Sequence, residues 1–524
     1  MNQLDYIDLL DRAGRLGPDR PALSDDSGTI SHTQLATLTH RFANALLARG
    51  FAPSSPYAIL SPNNSLAMVA LLGGMRAGGA WSNINLRSGA GTNADLLQRG
   101  GCVALFFHSS TLDQVREIVV QAPAITTFVC LDQEIEGYPS LQRFIDGASE
   151  QPVHIRLGVD ATAFQGSTGG TTGAPKITQA PSGFTAWNMI GFISVFSDFD
   201  TDSPPVNLAV APITHAGGFI AMATLSMGGE VVLMATADLG AILAAIAKHK
   251  ISLLFLPPTL IYMLMNHPHC KSTDFSSLRY LMSAAAPLVS EKIIQAHAMF
   301  GPVICQSLGQ TESGFPLTFM SKKAITQAVQ NPALAKRLRS VGRPTVNVVG
   351  IEVMDDEGKL LGPDEVGEIV VKGPTVMLRY LNDPQASAAI KTDGWQRTGD
   401  VGFRDRDGFV YLSDRKRDLI ISGGFNVFPL QVEEVLNQHP AVQDCAVIGV
   451  PDDKWGEAVK AVIELAPGRQ VSAQELIDLC KDKLGAVMSP KSVDFIEQLP
   501  RSAVGKVLKR TLRASFWEGK ERRI

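Results

Sequence analysis

Gly166-Ser167-Thr168-Gly169-Gly170-Thr171-Thr172-Gly173-Ala174-Pro175-Lys176 gathers four glycines, four hydroxyl residues and a terminal lysine within eleven positions. Glycine lets a backbone approach an anion and turn successive N–H groups toward it; hydroxyls add donors, and lysine adds a compact cation. The stretch therefore reads as a phosphate-holding loop, with a flexible Gly/Ser/Thr surface turn as the rival reading. It is not a G-x-x-x-x-G-K-[ST] loop, because Pro175 stands where the second glycine, counted from Gly170, would have to be.

The sequence on either side sets the fold class. Ser31-x-x-Gln34 is a capping-box pattern, Leu35, Leu38, Phe42 and Leu46 recur at helical spacing, and Gly50 stands where the helix should stop. This predicts a helix over about 32–49. Residues 56–60 read as a strand, 65–75 as a helix, and 104–107 and 127–131 as short buried strands; the rhythm continues at 206–211, 230–234 and 253–256. Such alternation predicts largely parallel sheets covered by helices. From about 348 to 412, strand runs and turn dipeptides indicate a small β-rich unit. Asp414-Arg415-Lys416-Arg417-Asp418 is a charged run between apolar segments, the composition of an interdomain hinge. Beyond it, 432–437 reads as helix, 445–450 and 458–465 as strands, and Ser472-x-x-Glu475 caps another helix. The expected class is α/β, with a large N-terminal domain (1–414) of helix-covered sheets that includes the β-rich unit. A small, mobile α+β C-terminal domain (415–524) follows.

Composition supports this and excludes other classes. Of 524 residues, 45% are hydrophobic and 19% charged, against the roughly 25% charged of average soluble domains, so a large core is available and disorder is not expected. Lys+Arg number 47 against Asp+Glu 51, a formal charge of −4 without the basic excess that nucleic-acid binding needs. Met1-Asn2-Gln3-Leu4-Asp5-Tyr6 lacks the basic and apolar regions of a secretory signal. The most apolar long stretch, 251–265, contains Pro257-Pro258 and is shorter than the roughly 20 residues of a membrane span. Cys102, Cys130, Cys270, Cys305, Cys445 and Cys480 include no C-x-x-C pair, so neither a zinc knuckle nor a redox dithiol is encoded. A cytoplasmic protein with six reduced thiols is expected. Gly89-Ala90-Gly91-Thr92-Asn93-Ala94 fits G-x-G-x-x-A, but 83–87 does not read as a strand and no βαβ unit is evident, so an ordinary turn is expected there.

The loop ending in Lys176 resembles the phosphate-binding signature of the adenylate-forming superfamily: acyl- and aryl-CoA synthetases, adenylation domains of peptide synthetases, and firefly-type luciferases. Companions follow in the family's order over most of the chain. Ala211-Pro212-Ile213-Thr214-His215-Ala216-Gly217-Gly218 is similar to the segment whose histidine borders the acyl pocket. Ser283-Ala284-Ala285-Ala286-Pro287-Leu288 resembles the small-residue strand and turn beside the adenine, and Leu308-Gly309-Gln310-Thr311-Glu312 the family's aromatic-Gly-x-Thr-Glu. Gly394-Trp395-x-x-Thr398-Gly399-Asp400, Asp414-Arg415, Ser422-Gly423-Gly424 and Leu499-Pro500-Arg501-Ser502-x-x-Gly505-Lys506 complete the set.

The resemblance implies an ATP-dependent acyl-CoA synthetase. It activates a carboxylic acid to acyl-AMP with loss of pyrophosphate, which converts a poor leaving oxygen into a good one, and then transfers the acyl group to CoA. Thr168, Gly169, Gly170, Thr171, Thr172 and Lys176 are then expected at the phosphates and Glu312 at Mg²⁺. Ala284, Ala285, Ala286, Leu308, Gly309 and Thr311 are expected around the base, and Asp400 and Arg415 at the ribose or phosphate. Lys506 stabilises charge as the carboxylate attacks the α-phosphate. His215, Gly217, Gly218 and Ala284 border the acyl pocket; Arg417 is the hinge; Ser422, Gly423 and Gly424 lie where the thiol arrives after the C-terminal domain rotates. Leu308 departs from the family's usual stacking aromatic.

Two features narrow the reaction. Ser182-Gly183-Phe184-Thr185-Ala186-Trp187-Asn188 and the segments around 214–219 and 284–286 are small or apolar, with no carboxylate to meet a substrate ammonium. An uncharged fatty or aryl, ring-bearing acid is expected. No carrier-protein domain precedes Ile524, so CoA is the expected acceptor. The alternatives are a stand-alone ligase loading a carrier protein, or a non-catalytic nucleotide-binding protein of the same fold. Partners are the small-molecule acid, ATP and CoA, without nucleic acid or a transmembrane segment, and a homodimer is compatible.

Overall fold

The computed structural model describes residues 4–168, 175–286, 288–415, 418–452, 454–502 and 507–518. The capping box at Ser31 forms as the sequence predicts. Ser31 Oγ accepts from Gln34 N–H at 3.2 Å, Gln34 Oε1 accepts from Ser31 N–H at 2.7 Å, and the helix runs His32–Ala48 with Leu35, Phe42 and Leu46 buried. The strands Pro56–Leu60 and Ala104–Phe107 and the helix Ser65–Arg76 also stand where expected.

Two large sheets carry the body. The first has seven strands in the order Arg379–Tyr380, Ile177–Pro181, Thr162–Ser167, Ala80–Ser82, Pro56–Leu60, Ala104–Phe107 and Thr127–Cys130. Its last five strands run parallel, and Thr162–Ser167 turns back on Ile177–Pro181 as an antiparallel hairpin. The glycine-rich stretch is thus flanked by two antiparallel strands, not by a strand and a helix as in other phosphate loops. In the second, fourteen-stranded sheet, Val206–Ala209, Glu230–Leu233, Leu253–Phe255, Tyr280–Ser283 and Ile304–Gln310 form a parallel centre.

The β-rich unit forms as strands where expected and joins a larger sheet. Its strands Gly350–Met354, Gly367–Lys372, Trp395–Arg404 and Val410–Arg415 are antiparallel, but Val410–Arg415 pairs with Ser340–Pro344, so the unit extends the second sheet. The charged run beginning at Asp414 is likewise part strand, because backbone pairing with Trp395–Arg404 continues through Arg415. Gly89 and Gly91 are not an ordinary turn. Gly89 is the N-cap of the helix Ala90–Arg99, which links Ala80–Ser82 to Ala104–Phe107, two strands flanking Pro56–Leu60 in parallel.

Helices Phe184–Val195 and Ala216–Ser226 lie in the core between the sheets. Trp81, Phe164, Phe184 and Phe219 form one aromatic cluster there, with Phe164 stacked on Phe184 at 5.2 Å. A third sheet of five strands follows from Ile420 onward, with Pro429–Leu436 and Ala473–Met488 packed on it around Val432, Val447, Val459 and Leu476. Glu434 meets the body through Arg339 Nε at 2.6 Å and Ser290 Oγ at 3.1 Å. All six cysteines are buried and unpaired, and among the described residues no helix is long and apolar enough to cross a membrane.

The Ser31 cap makes a measurable prediction. Ser31→Ala removes the acceptor for the Gln34 amide, and urea unfolding should show a loss of about 1 kcal/mol with unchanged m-value.

Candidate active site

Strand pairing assembles the site from distant segments. Both ends of the glycine-rich loop are tied together: Thr168 N–H donates to Lys176 O at 2.9 Å, and Lys176 N–H to Thr168 Oγ1 at 3.3 Å. The short strand Arg379–Tyr380 lies beside Ile177–Pro181, with Tyr380 opposite Thr178. The Tyr380 ring thereby lies under the Lys176 ammonium, 4.9 Å from Nζ, and Asp383 Oδ2 is 3.7 Å from the same Nζ. The Tyr380 hydroxyl donates to Glu312 Oε1 at 3.1 Å. Burial and the Glu312 carboxylate both push the phenol pKa up, so the hydroxyl stays a donor.

Glu312 sits in the connection between Ile304–Gln310 and Gly314–Met320. Its carbonyl accepts from Gln396 Nε2 at 3.0 Å and Met377 N–H at 2.8 Å, which anchors the backbone while the carboxylate faces Tyr380. Thr311 packs on the base of the glycine-rich hairpin so closely that a Cβ at Gly166 would lie 2.1 Å from its Cγ2. Lys176, Thr311 and Glu312 are therefore brought together. A cleft of about 640 Å³ opens beside them, lined in part by Gln310, Glu312, Tyr380, Thr398 and Gly399.

Asp400 is buried and lies directly opposite Arg415 in the strand register. The strand around it is held by Glu368, to which the sequence reading gave no role at the site, and by Thr398. Glu368 Oε1 accepts from Gly399 N–H at 3.0 Å while Glu368 Oε2 pairs with Arg397 at 2.8 Å, and Thr398 Oγ1 accepts from Asp400 N–H at 3.1 Å. Leu308 is half-buried and packs toward the cluster containing Leu317, Val341 and Val410. Of the three alanines, only Ala284 is buried; Ala285 is exposed in a left-handed turn with φ of 75°, and Ala286 is half-buried. Gly309 packs against Phe315.

His215 precedes the helix Ala216–Ser226, with Nδ1 3.2 Å from Asn83 Nδ2. Burial lowers its pKa to about 4, so the imidazole is neutral at pH 7. Gly217 and Gly218 do not provide the acyl room expected of them. A Cβ would stand 2.4 Å from Ala211 O at Gly217 and 1.9 Å from Ile213 O at Gly218; the space belongs to the turn that starts the helix. In the third sheet, Gly423 and Gly424 have φ of 58° and 81° between the paired residues Ser422 and Phe425, a two-residue hairpin that needs left-handed backbone at both positions. Gly169, Gly170, Thr171, Thr172, Arg417 and Lys506 lie outside the described residues, as does the side chain of Arg415.

Among the described residues, no group of three or more His, Cys, Asp or Glu could hold a metal.

Residues 10–381 match the family model of AMP-binding enzymes, and 431–506 that of the AMP-binding enzyme C-terminal domain. The chain belongs to the adenylate-forming superfamily. This adenylate-forming enzyme is similar to a feruloyl-CoA synthase of Amycolatopsis, 31% identical over 507 residues that cover 96% of this chain and 98% of the relative. An indoleacetate–CoA ligase of Aromatoleum aromaticum is 32% identical over 513 residues, covering 97% and 98%. Among solved structures, the amide bond synthetase McbA from Marinactinospora thermotolerans aligns with a TM-score of 0.87 at 28% identity, covering 98% of this chain and 100% of that one. The enzyme is an AMP-forming acid–thiol ligase, an ATP-dependent acyl-CoA synthetase.

Tyr380, Glu368 and Asn83 escaped the sequence reading because a lone tyrosine, glutamate or asparagine carries no spacing signal; only the tyrosine's place just before an Asn-Asp-Pro turn marked it. Tyr380→Phe keeps the ring under Lys176 and removes one hydrogen bond to a carboxylate, so the KM for ATP should rise about tenfold. Steady-state kinetics should show the KM for the acid within about twofold of the wild type, since the lost bond joins only Tyr380 and Glu312.

Proposed function

We propose that this acyl-CoA synthetase activates an acid that is uncharged apart from its carboxylate and carries a ring. The observation that carries this reading is the neutral, buried His215 on the acyl side, in a body whose adjoining core is the Trp81, Phe164, Phe184 and Phe219 cluster. No ionic side chain from 182–188 or 211–219 faces that region to meet a charged substituent. The two named relatives, whose acids are ferulate and indoleacetate, support the same class.

The remaining roles follow from chemistry and position. Lys176, Thr168, Thr171 and Thr172, with the amides of Gly169 and Gly170, hold the β- and γ-phosphates. Glu312 holds Mg²⁺, which neutralises phosphate charge when bound; Tyr380 orients that carboxylate by donating to one oxygen and leaves the other for the metal. Asp400 takes the ribose hydroxyls, with Arg415 opposite it in register. Ala284, Ala285, Ala286, Leu308, Gly309 and Thr311 border the base. Lys506 stabilises charge on the α-phosphate during adenylation. The body (1–414) and the C-terminal domain (415–524) turn about Arg417 between the two half-reactions, bringing Ser422, Gly423 and Gly424 to the thiol.

Pyrophosphate release measured across fatty, aryl and amino acids, with and without CoA, tests the reading. Release with ring-bearing acids and formation of their CoA thioesters is expected; release only with fatty or amino acids would overturn the substrate class. Lys506→Ala should lower acyl-AMP formation by at least about a hundredfold, the cost of a lost transition-state donor, while thioester formation from supplied acyl-AMP stays near the wild-type rate. Equal loss of both half-reactions would refute the assignment of Lys506.

A further inference from the structure

Asn83 follows the strand Ala80–Ser82, and its buried side chain joins two segments of the site. Its Oδ1 accepts from the backbone N–H of Ser167 at 2.7 Å, at the base of the glycine-rich loop. A backbone amide can only donate, so this contact identifies the oxygen end of the Asn83 side chain. The other end, Nδ2, must then be the atom 3.2 Å from His215 Nδ1. An amide nitrogen also only donates, which makes Nδ1 the acceptor.

A neutral imidazole carries one proton, and the acceptor role of Nδ1 leaves that proton on Nε2. Among the described residues, Nε2 is buried without a hydrogen-bond partner. An unsatisfied buried donor is destabilising, and a bound group with an oxygen lone pair removes that cost.

We propose that Asn83 is a positioning residue that locks His215 in the Nε2–H tautomer, so that this N–H donates to a carboxylate oxygen of the bound acid. The inference rests on the reading of His215 as the border of the acyl pocket. It deepens that reading by giving the histidine a directed donor role. Because the same Asn83 amide holds Ser167, the orientation of the donor is tied to the loop that receives the phosphates. The acid and the triphosphate are thereby placed by one buried side chain. The carbonyls of Ala211 and Ile213 pack against Gly217 and Gly218, which fixes the turn from which His215 leaves the backbone.

The test has a spectroscopic arm and a kinetic arm. In ligand-free enzyme carrying ¹⁵N-histidine, the His215 signals, assigned by their loss in His215→Gln, should show a protonated Nε2 and an unprotonated Nδ1 at pH 7. A protonated Nδ1, or an imidazolium, would overturn the proposal whether or not any acid is turned over. Asn83→Ala should give a mixed tautomer and raise the KM for the aromatic acid that the wild type uses best about tenfold, and it should raise the KM for ATP as well, because Ser167 N–H loses its acceptor. His215→Gln, whose amide can place a donor near the position of Nε2, should retain more of the wild-type kcat/KM than His215→Asn. A tautomer that shifts in Asn83→Ala while the acid KM stays unchanged would overturn the contact with the acid. Absence of pyrophosphate release from the wild type with every acid would instead refute the proposed function, leaving the tautomer to be read independently.

Discussion

The two-residue strand Arg379–Tyr380 is the constraint on which the active site depends. It leaves the antiparallel extension of the fourteen-stranded sheet and pairs with Ile177–Pro181 at the edge of the seven-stranded one. Backbone hydrogen bonds thus hold together two sheets that carry different halves of the chemistry. On one side stands Lys176 at the end of the hairpin; on the other stands Glu312 between two strands of the second sheet. Tyr380 reaches both, its ring under the ammonium and its hydroxyl on the carboxylate. The ammonium and the carboxylate are kept apart by an aromatic ring that satisfies each, so neither must neutralise the other.

Glycine serves several purposes in this chain, and the structure separates them. Gly166 allows the close approach of Thr311; Gly217 and Gly218 make space for their own preceding turn; Gly423 and Gly424 form a tight hairpin. Only the loop up to Gly173 reads as anion-binding from its composition. A glycine-rich composition therefore marks where the backbone comes close to something, and the partner may be the protein itself as readily as a ligand.

Much of the fold was legible because it rests on local physics. The capping box at Ser31, the helical recurrence of Leu35, Phe42 and Leu46, and the short apolar runs at 56–60 and 104–107 each act over a few residues, and each formed as read. Misreadings arose where a long-range pairing intervened. The β-rich stretch was read as strands without the sheet it extends, which Val410–Arg415 joins through Ser340–Pro344, and Gly89-Ala90-Gly91 looked like a turn until the flanking strands proved parallel neighbours of Pro56–Leu60. Within the site, Lys176, Glu312, Asp400 and His215 stood out through their motifs. Tyr380, Glu368 and Asn83, which orient or support them, did not.

The sequence by itself determined the elements, the order of the motifs and the kinds of chemical group available: a lysine after glycines and hydroxyls, a carboxylate after threonine, a histidine among small residues. Tertiary structure alone decided which groups meet and in what protonation state. Tyr380 finds Glu312 across 68 positions, and Asn83 finds His215 across 132. The physical reason is that propensity and capping are energies of neighbouring residues, whereas tautomer, burial and hydrogen-bond partnership are properties of a surrounding that exists only once the sheets have paired.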